Sequence, residues 1–145
     1  MELGLARVEE TARALQDAAL EIEPEDLREA VQRRAATNVF ALKPHFMKID
    51  LYISKSEPFA LSVMSRRIRM PLLSGREVWI SSPEDTILQK LRWYRAGGEA
   101  MDQQWRDVVG VLRGADALDR GYLERWSADL GVDDLLADAW ATARS

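Results

Sequence analysis

The chain contains no cysteine, so disulfides, thiol nucleophiles and cysteine-ligated zinc are all excluded. His45 is its only histidine, which removes multi-histidine metal sites and most histidine proton relays. No apolar run reaches the roughly 20 residues that a membrane-spanning helix requires, and the N-terminus has no signal-peptide pattern. A soluble, cytoplasmic protein is the expectation. Excess positive charge is lacking too. Lysine and arginine number 20 against 24 acids, a formal net charge of −4. That balance disfavours bulk electrostatic binding of nucleic acid. What is present suffices for a core: 145 residues, the size of one ordinary domain, of which 47% are apolar.

Charge is unevenly spread. Residues 54–76 carry Lys55, Arg66, Arg67, Arg69 and Arg76 against Glu57 alone, whereas residues 114–145 carry seven acids against three arginines. The basic middle reads either as a receiver of phosphates or as a solvated face, the second being the commoner outcome.

Periodicity sets out the elements. Leu5, Val8, Ala12 and Leu15 recur at helical spacing. "EPEDLREAVQRRA" opens with proline and acids and closes with arginines, matching the helix dipole at both ends. Between the two, "LEIE" is a strand or a linker. "NVFAL" and "FMKIDLYI", joined by "KPH", read as an antiparallel hairpin. "PFALSVMSRR" reads as a short helix, and "IRMPLL" and "REVWISS" as two strands around "SG". In "SPEDTILQKLRWYRAGG", Ser82 suits the N-cap, Pro83 the first helical position, and Glu84 and Asp85 the acidic first turn. Ile87, Leu88, Leu91 and Tyr94 form its apolar stripe, and Gly97–Gly98 ends it. Trp105, Val108, Val109 and Leu112 mark the next helix, and two more follow in "DRGYLERWSADLG" and "VDDLLADAWATA". The tryptophans mostly sit at helical core spacing. The last two helices flank "LGV" in a helix-turn-helix-like manner. The second carries Asp133, Asp134 and Asp138 where DNA reading needs basic residues, so it reads as a packing hairpin.

One strand poses a chemical question. In "FMKIDLYISK", Met47, Ile49, Leu51 and Ile53 alternate with Phe46, Lys48, Asp50 and Tyr52. Aspartate is a poor strand residue, and a half-buried carboxylate needs a lysine, a backbone amide or a metal ion. Lys48, two residues away on the same face, is one partner, and an arginine from 66–69 is another.

"KIDLYI" together with "SPEDTILQKLRWYRAGGEAMDQQWRDVVGVL" resembles the nucleotidyltransferase superfamily with the polymerase β-like core. The likeness is to small bacterial proteins related to abortive-infection toxins of type IV toxin–antitoxin systems, and it runs over about residues 8–138. Lys48-Ile49-Asp50-Leu51 looks like the strand of the third carboxylate. Pro83, Glu84, Asp85 and Lys90 look like the Pro-x-Glu/Asp-x-hydrophobic-x-x-Lys helix, and Arg106–Asp107 like the later Arg-Asp pair. The resemblance implies an α+β fold, a small mixed sheet with packed helices followed by a helical part. It implies one domain over 1–145, with an α/β core at 1–81 and helices at 82–145. In such a site carboxylates hold Mg²⁺, which neutralises phosphate charge during transfer. Asp50 would then be a metal ligand and catalytic residue, and Lys90 a phosphate contact. Arg106, Asp107 and Glu84 would form a structural network.

The sequence departs from the pattern in having no Gly-Ser turn and no Asp-x-Asp before residue 50. The expectation is therefore a truncated, non-catalytic nucleotidyltransferase-like protein in which Asp50 is a vestigial or partial Mg²⁺ position. The alternative is an active, toxin-like Mg²⁺-dependent enzyme whose missing segment lies in a longer chain or in a partner. Residue by residue, Lys90 reads equally as a lysine snorkelling beside Tyr94, and His45 as a surface residue after Pro44. Without the Asp-x-Asp strand, 46–53 would lie at a sheet edge. That edge would invite a second copy or an antitoxin-like partner unless "LEIE" covers it. Nucleotide is the ligand if the protein is active; membrane and nucleic acid are not expected partners.

Overall fold

A computed structural model describes residues 4–33, 36–41, 46–53 and 57–145. The "KPH" link with His45, and Lys55 of the basic stretch, lie outside them. The fold is α+β, and the chain forms two compact units, Met1–Ala60 and Leu61–Ser145. Their boundary falls inside a helix, so the strands of "IRMPLL" and "REVWISS" belong with the helices that follow them.

In the first unit a 3₁₀ turn, Leu5–Arg7, leads into α1 (Val8–Asp17). Next come β1 (Leu20–Glu21), α2 (Pro24–Arg33), β2 (Ala36–Ala41) and β3 (Met47–Tyr52). Val8, Ala12, Leu27, Ala30 and Val31, on the inner stripes of the two helices, meet Ile22, Val39 and Ile53 in one buried cluster. Leu5, expected in the stripe of α1, lies in the 3₁₀ turn and is 50% exposed.

The sheet has the order β1-β2-β3 and is antiparallel throughout. "LEIE" therefore supplies a strand, but on the far side of β2. Among the described residues β3 pairs with β2 alone and forms an edge. Its alternation is as read: Ile49 and Leu51 pack on the cluster, while Lys48, Asp50 and Tyr52 face outward. Phe46 stacks on Phe40 of β2 on that outer side, with ring centroids 5.6 Å apart.

The second unit begins within α3 (Pro58–Ser65) and continues through a two-stranded antiparallel ribbon, β4 (Ile68–Pro71) and β5 (Glu77–Ile80). The mixed sheet of the sequence reading is thus two antiparallel sheets, one in each unit. Four helices follow: α4 (Pro83–Ala96), α5 (Asp102–Gly114), α6 (Arg120–Leu130) and α7 (Asp133–Arg144). Helix α4 packs on α5 and α6, and α7 on α5 and α6. Ile87, Leu88, Leu91, Val108, Leu123, Leu135 and Ala139 are among the buried residues of these helices. Gly131, at φ 66°, ends α6 in the left-handed conformation that glycine tolerates best, and Val132 behind it is buried. The "LGV" segment is thus the turn of a packing hairpin.

The tryptophans do not fill this core. Trp79 and Trp93 are 57% and 46% exposed, and Trp105, Trp126 and Trp140 are half-buried at its margin. Helical spacing sets which side of a helix a ring occupies, while its size keeps part of it at the surface. No described helix is long and apolar enough to cross a membrane.

Candidate functional site

The Pro-Glu-Asp motif opens α4 as its sequence predicts. The Ser82 hydroxyl accepts the Asp85 N–H at 3.1 Å and donates to Asp85 Oδ2 at 2.8 Å, so cap and third helical residue satisfy each other. Asp85 is fully buried. Its other oxygen accepts the Tyr122 hydroxyl of α6 at 2.5 Å, and Ser62 of α3 lies 2.9 Å from that hydroxyl. Arg66, just past α3, lays its guanidinium 3.9 Å over the Tyr122 ring. The same group reaches Glu84 Oε2 at 3.1 Å, and its Nε stands 3.7 Å from Asp85 Oδ2 without a hydrogen-bond partner. Glu84 is 7% exposed, and its Oε1 accepts the backbone N–H of Asp119 at 2.9 Å. One polar clasp thus joins α3, the start of α4 and the start of α6.

The electrostatics follow from that geometry. Burial pushes the Glu84 carboxyl up, but the Asp119 N–H, further hydrogen bonds and Arg66 outweigh it and hold the group below its ordinary value. Burial, reinforced by the bond to Asp85, pushes the Tyr122 hydroxyl up to about 12. Tyr122 therefore donates as a neutral phenol at physiological pH.

The second half of the motif forms a separate tie. Lys90 of α4 donates to Asp107 Oδ2 of α5 at 2.7 Å and to Gln104 Oε1 at 3.3 Å. The hydrogen bond from Lys90 holds the Asp107 carboxyl below its ordinary value, and Gln103 donates to its other oxygen at 2.6 Å. Lys90 is thus paired from α4 to α5. Arg106 is exposed and donates to Gln103 Oε1, so Gln103 links Arg106 to Asp107, while Glu84, expected in the same network, stands apart in the clasp. A further pair, in which Arg95 Nη2 donates to both oxygens of Asp134 at 2.6 and 2.7 Å, fastens α4 to the acidic first turn of α7. This occupies one of the acids noted in the hairpin.

Asp50 belongs to the other unit. It sits on the outer face of β3, its side chain 48% exposed, with Oδ1 3.5 Å from Lys48 Nζ. Water solvates this carboxylate, so the strand carries it without the penalty of burial. Of the two partners weighed for Asp50, the structure pairs it with Lys48. The described surroundings offer Mg²⁺ one carboxylate with an ammonium beside it, a poor match for an ion that requires an octahedron of oxygens. Among the described residues no group of three histidine, cysteine or acidic side chains gathers.

The basic middle divides. Arg66 turns into the clasp. Arg67 and Arg69 lie 5.5 and 5.3 Å from the Trp79 ring on the exposed ribbon, and Arg69 pairs with Glu77. Tyr122 and Ser62 are site residues that sequence reasoning missed, and Arg66, read as part of the basic middle, joins them here. Their partners stand 18 to 60 positions away, and no local pattern signals such a contact.

No protein-family model matches the chain, and neither a curated protein nor a solved structure is significantly similar to it.

Proposed function

We propose that the chain is a nucleotidyltransferase-like protein of the cytoplasm that, by itself, serves as a binding module and not as a catalyst. The observation that carries this reading is the state of Asp50: a solvated carboxylate on an edge strand, neighboured by Lys48. The motif residues Glu84, Asp85, Lys90 and Asp107 support it, since each is engaged in holding helices together. The isolated chain is expected to show no micromolar affinity for Mg²⁺–ATP or the other Mg²⁺–nucleoside triphosphates by calorimetric titration. Asp50→Asn is expected to change stability by less than about 1 kcal/mol in urea melts, as befits an exposed pair. Micromolar nucleotide binding that disappears in Asp50→Asn would sink this reading.

A second reading is favoured by the edge itself. The side of β3 that no described strand covers is where a neighbouring strand bearing the two further carboxylates would lie, and Asp50 would then complete a Mg²⁺ site. Nucleotide binding that appears only when a partner is added, and depends on Asp50, would select it.

Both readings give β3 a partner, either a second copy or an antitoxin-like protein. Phe46, Met47 and Tyr52 are exposed along it, and Lys48 and Asp50 are its only charges. Unpaired backbone groups on an apolar strand invite strand addition. Light scattering at micromolar concentration is expected to give a mass above that of one chain. A monomer whose residue 47–53 amides all resist hydrogen exchange would show the edge already covered.

A further inference from the structure

A cleft of about 300 Å³ opens between α6 and α7, lined by Arg120, Leu123 and Glu124 from one and Trp140 and Arg144 from the other. The guanidinium carbons of Arg120 and Arg144 lie 4.8 and 5.9 Å from the centre of the Trp140 ring. Among the described residues neither arginine has a carboxylate partner, unlike Arg28, Arg66 and Arg95. Two forked cations therefore border the cleft, one from each helix, with their N–H edges uncommitted.

The backbone at both positions is anchored. Arg120 is the first residue of α6, directly after the cap Asp119. Asp119 is fixed twice: its side chain accepts the Tyr122 N–H, and its own N–H is held by buried Glu84. Arg144 ends α7, and Arg113 secures that end by donating to the Ala143 and Thr142 carbonyls at 3.2 and 2.9 Å. The clasp at the start of α4 thus sets one arginine of the cleft and the α5–α7 contact sets the other. These contacts fix the backbone from which each exposed arginine reaches the cleft, and the Trp140 ring lies near both guanidiniums.

Glu124, one turn along α6 from Arg120, narrows the choice of anion. A carboxylate repels a fully deprotonated oxyanion but accepts a hydrogen bond from one that still carries a proton. We propose that this cleft binds a phosphate group that still carries a P–OH, either inorganic phosphate or the head of a small monoester. Arg120 and Arg144 take its oxygens in charge-assisted hydrogen bonds, and Glu124 accepts from the P–OH. Leu123 and the Trp140 ring provide the apolar floor.

The test follows the Trp140 indole N–H by ¹H–¹⁵N NMR, its peak identified with Trp140→Phe, during titrations at constant ionic strength. Sodium phosphate at pH 6 is expected to shift the peak saturably, and sodium sulfate, lacking the proton, to bind about tenfold more weakly. Glycerol phosphate and inorganic phosphate, both titrated at pH 5.5, separate the sources. Tighter binding than inorganic phosphate assigns the cleft to a monoester, and weaker binding assigns it to the free ion. Arg120→Ala and Arg144→Ala, both at exposed positions, are each expected to weaken phosphate at least about tenfold. Arg120→Lys is expected to fall between, since it keeps the charge and loses the fork. Glu124→Gln should erase the preference for phosphate over sulfate. Chloride shifting the peak as phosphate does, unchanged affinity in both alanine variants, or equal affinity for sulfate and phosphate in the unmodified protein would overturn the proposal.

Discussion

Asp85→Ala is expected to cost the second unit about 3–5 kcal/mol, the range for removing one partner from a buried charged cluster. The carboxylate is inaccessible to solvent and receives two hydroxyls, from Ser82 and Tyr122, with Arg66 Nε 3.7 Å away. Alanine leaves those hydroxyls short of an acceptor and the guanidinium with Glu84 alone. The N-cap survives, because Ser82 still receives the backbone N–H of residue 85, so helix α4 itself should persist. In a unit of this size each 1 kcal/mol lowers the melting temperature by about 4–8 °C, so a fall of at least about 12 °C is expected by calorimetry. Asp85→Asn keeps one acceptor and should lose less. A Tyr122→Phe change made in the Asp85→Ala background should cost far less than in the unmodified protein, since the bond it removes is already gone. A loss below about 1 kcal/mol for Asp85→Ala would mean that the clasp contributes nothing beyond what water offers.

The clasp also shows where sequence reading succeeds. Ser82, Pro83, Glu84 and Asp85 announce a helix start through local chemistry, and α4 begins there with Ser82 as its cap. The alternation of β3 was legible because strand geometry has a period of two. Which face of that strand meets water was not legible, because Phe46 and Tyr52 make the outer side look apolar. Its exposure depends on what covers the sheet, a tertiary fact. Likewise the acids of α4 read as dipole partners, and exposed first-turn acids would have given the same sequence. Their burial comes from Tyr122 and Arg66, brought in by the packing of α6 and by the turn after α3. Lys90 and Asp107 were singled out through a family pattern, but their pairing needs the α4–α5 crossing, which neither helix encodes alone.

Arg66→Ala is the second large effect expected, about 2–4 kcal/mol, reduced from the full buried-pair range because the side chain is 32% exposed. The guanidinium balances Glu84, stands by Asp85 and covers the Tyr122 ring, so alanine removes charge and packing together. Arg66→Met separates the two: it restores apolar cover over the ring without the charge and should recover part of the loss. The acid response distinguishes the electrostatic share. Glu84 has a folded-state pKa below its unfolded value. Its contribution is therefore present above the unfolded value of about 4.5 and is lost as pH falls through the folded pKa. Removing Arg66 takes away one cause of that depression while burial continues to push the carboxyl up. The decline of stability below pH 4.5 should then be shallower in Arg66→Ala than in the unmodified protein, and shallower still in Glu84→Gln, where no proton is taken up. Urea melts at pH 7, 5, 4 and 3 measure these slopes directly. An acid limb in Arg66→Ala as steep as in the unmodified protein would show that the hydrogen bonds to Glu84, the Asp119 N–H first among them, hold it ionised without Arg66.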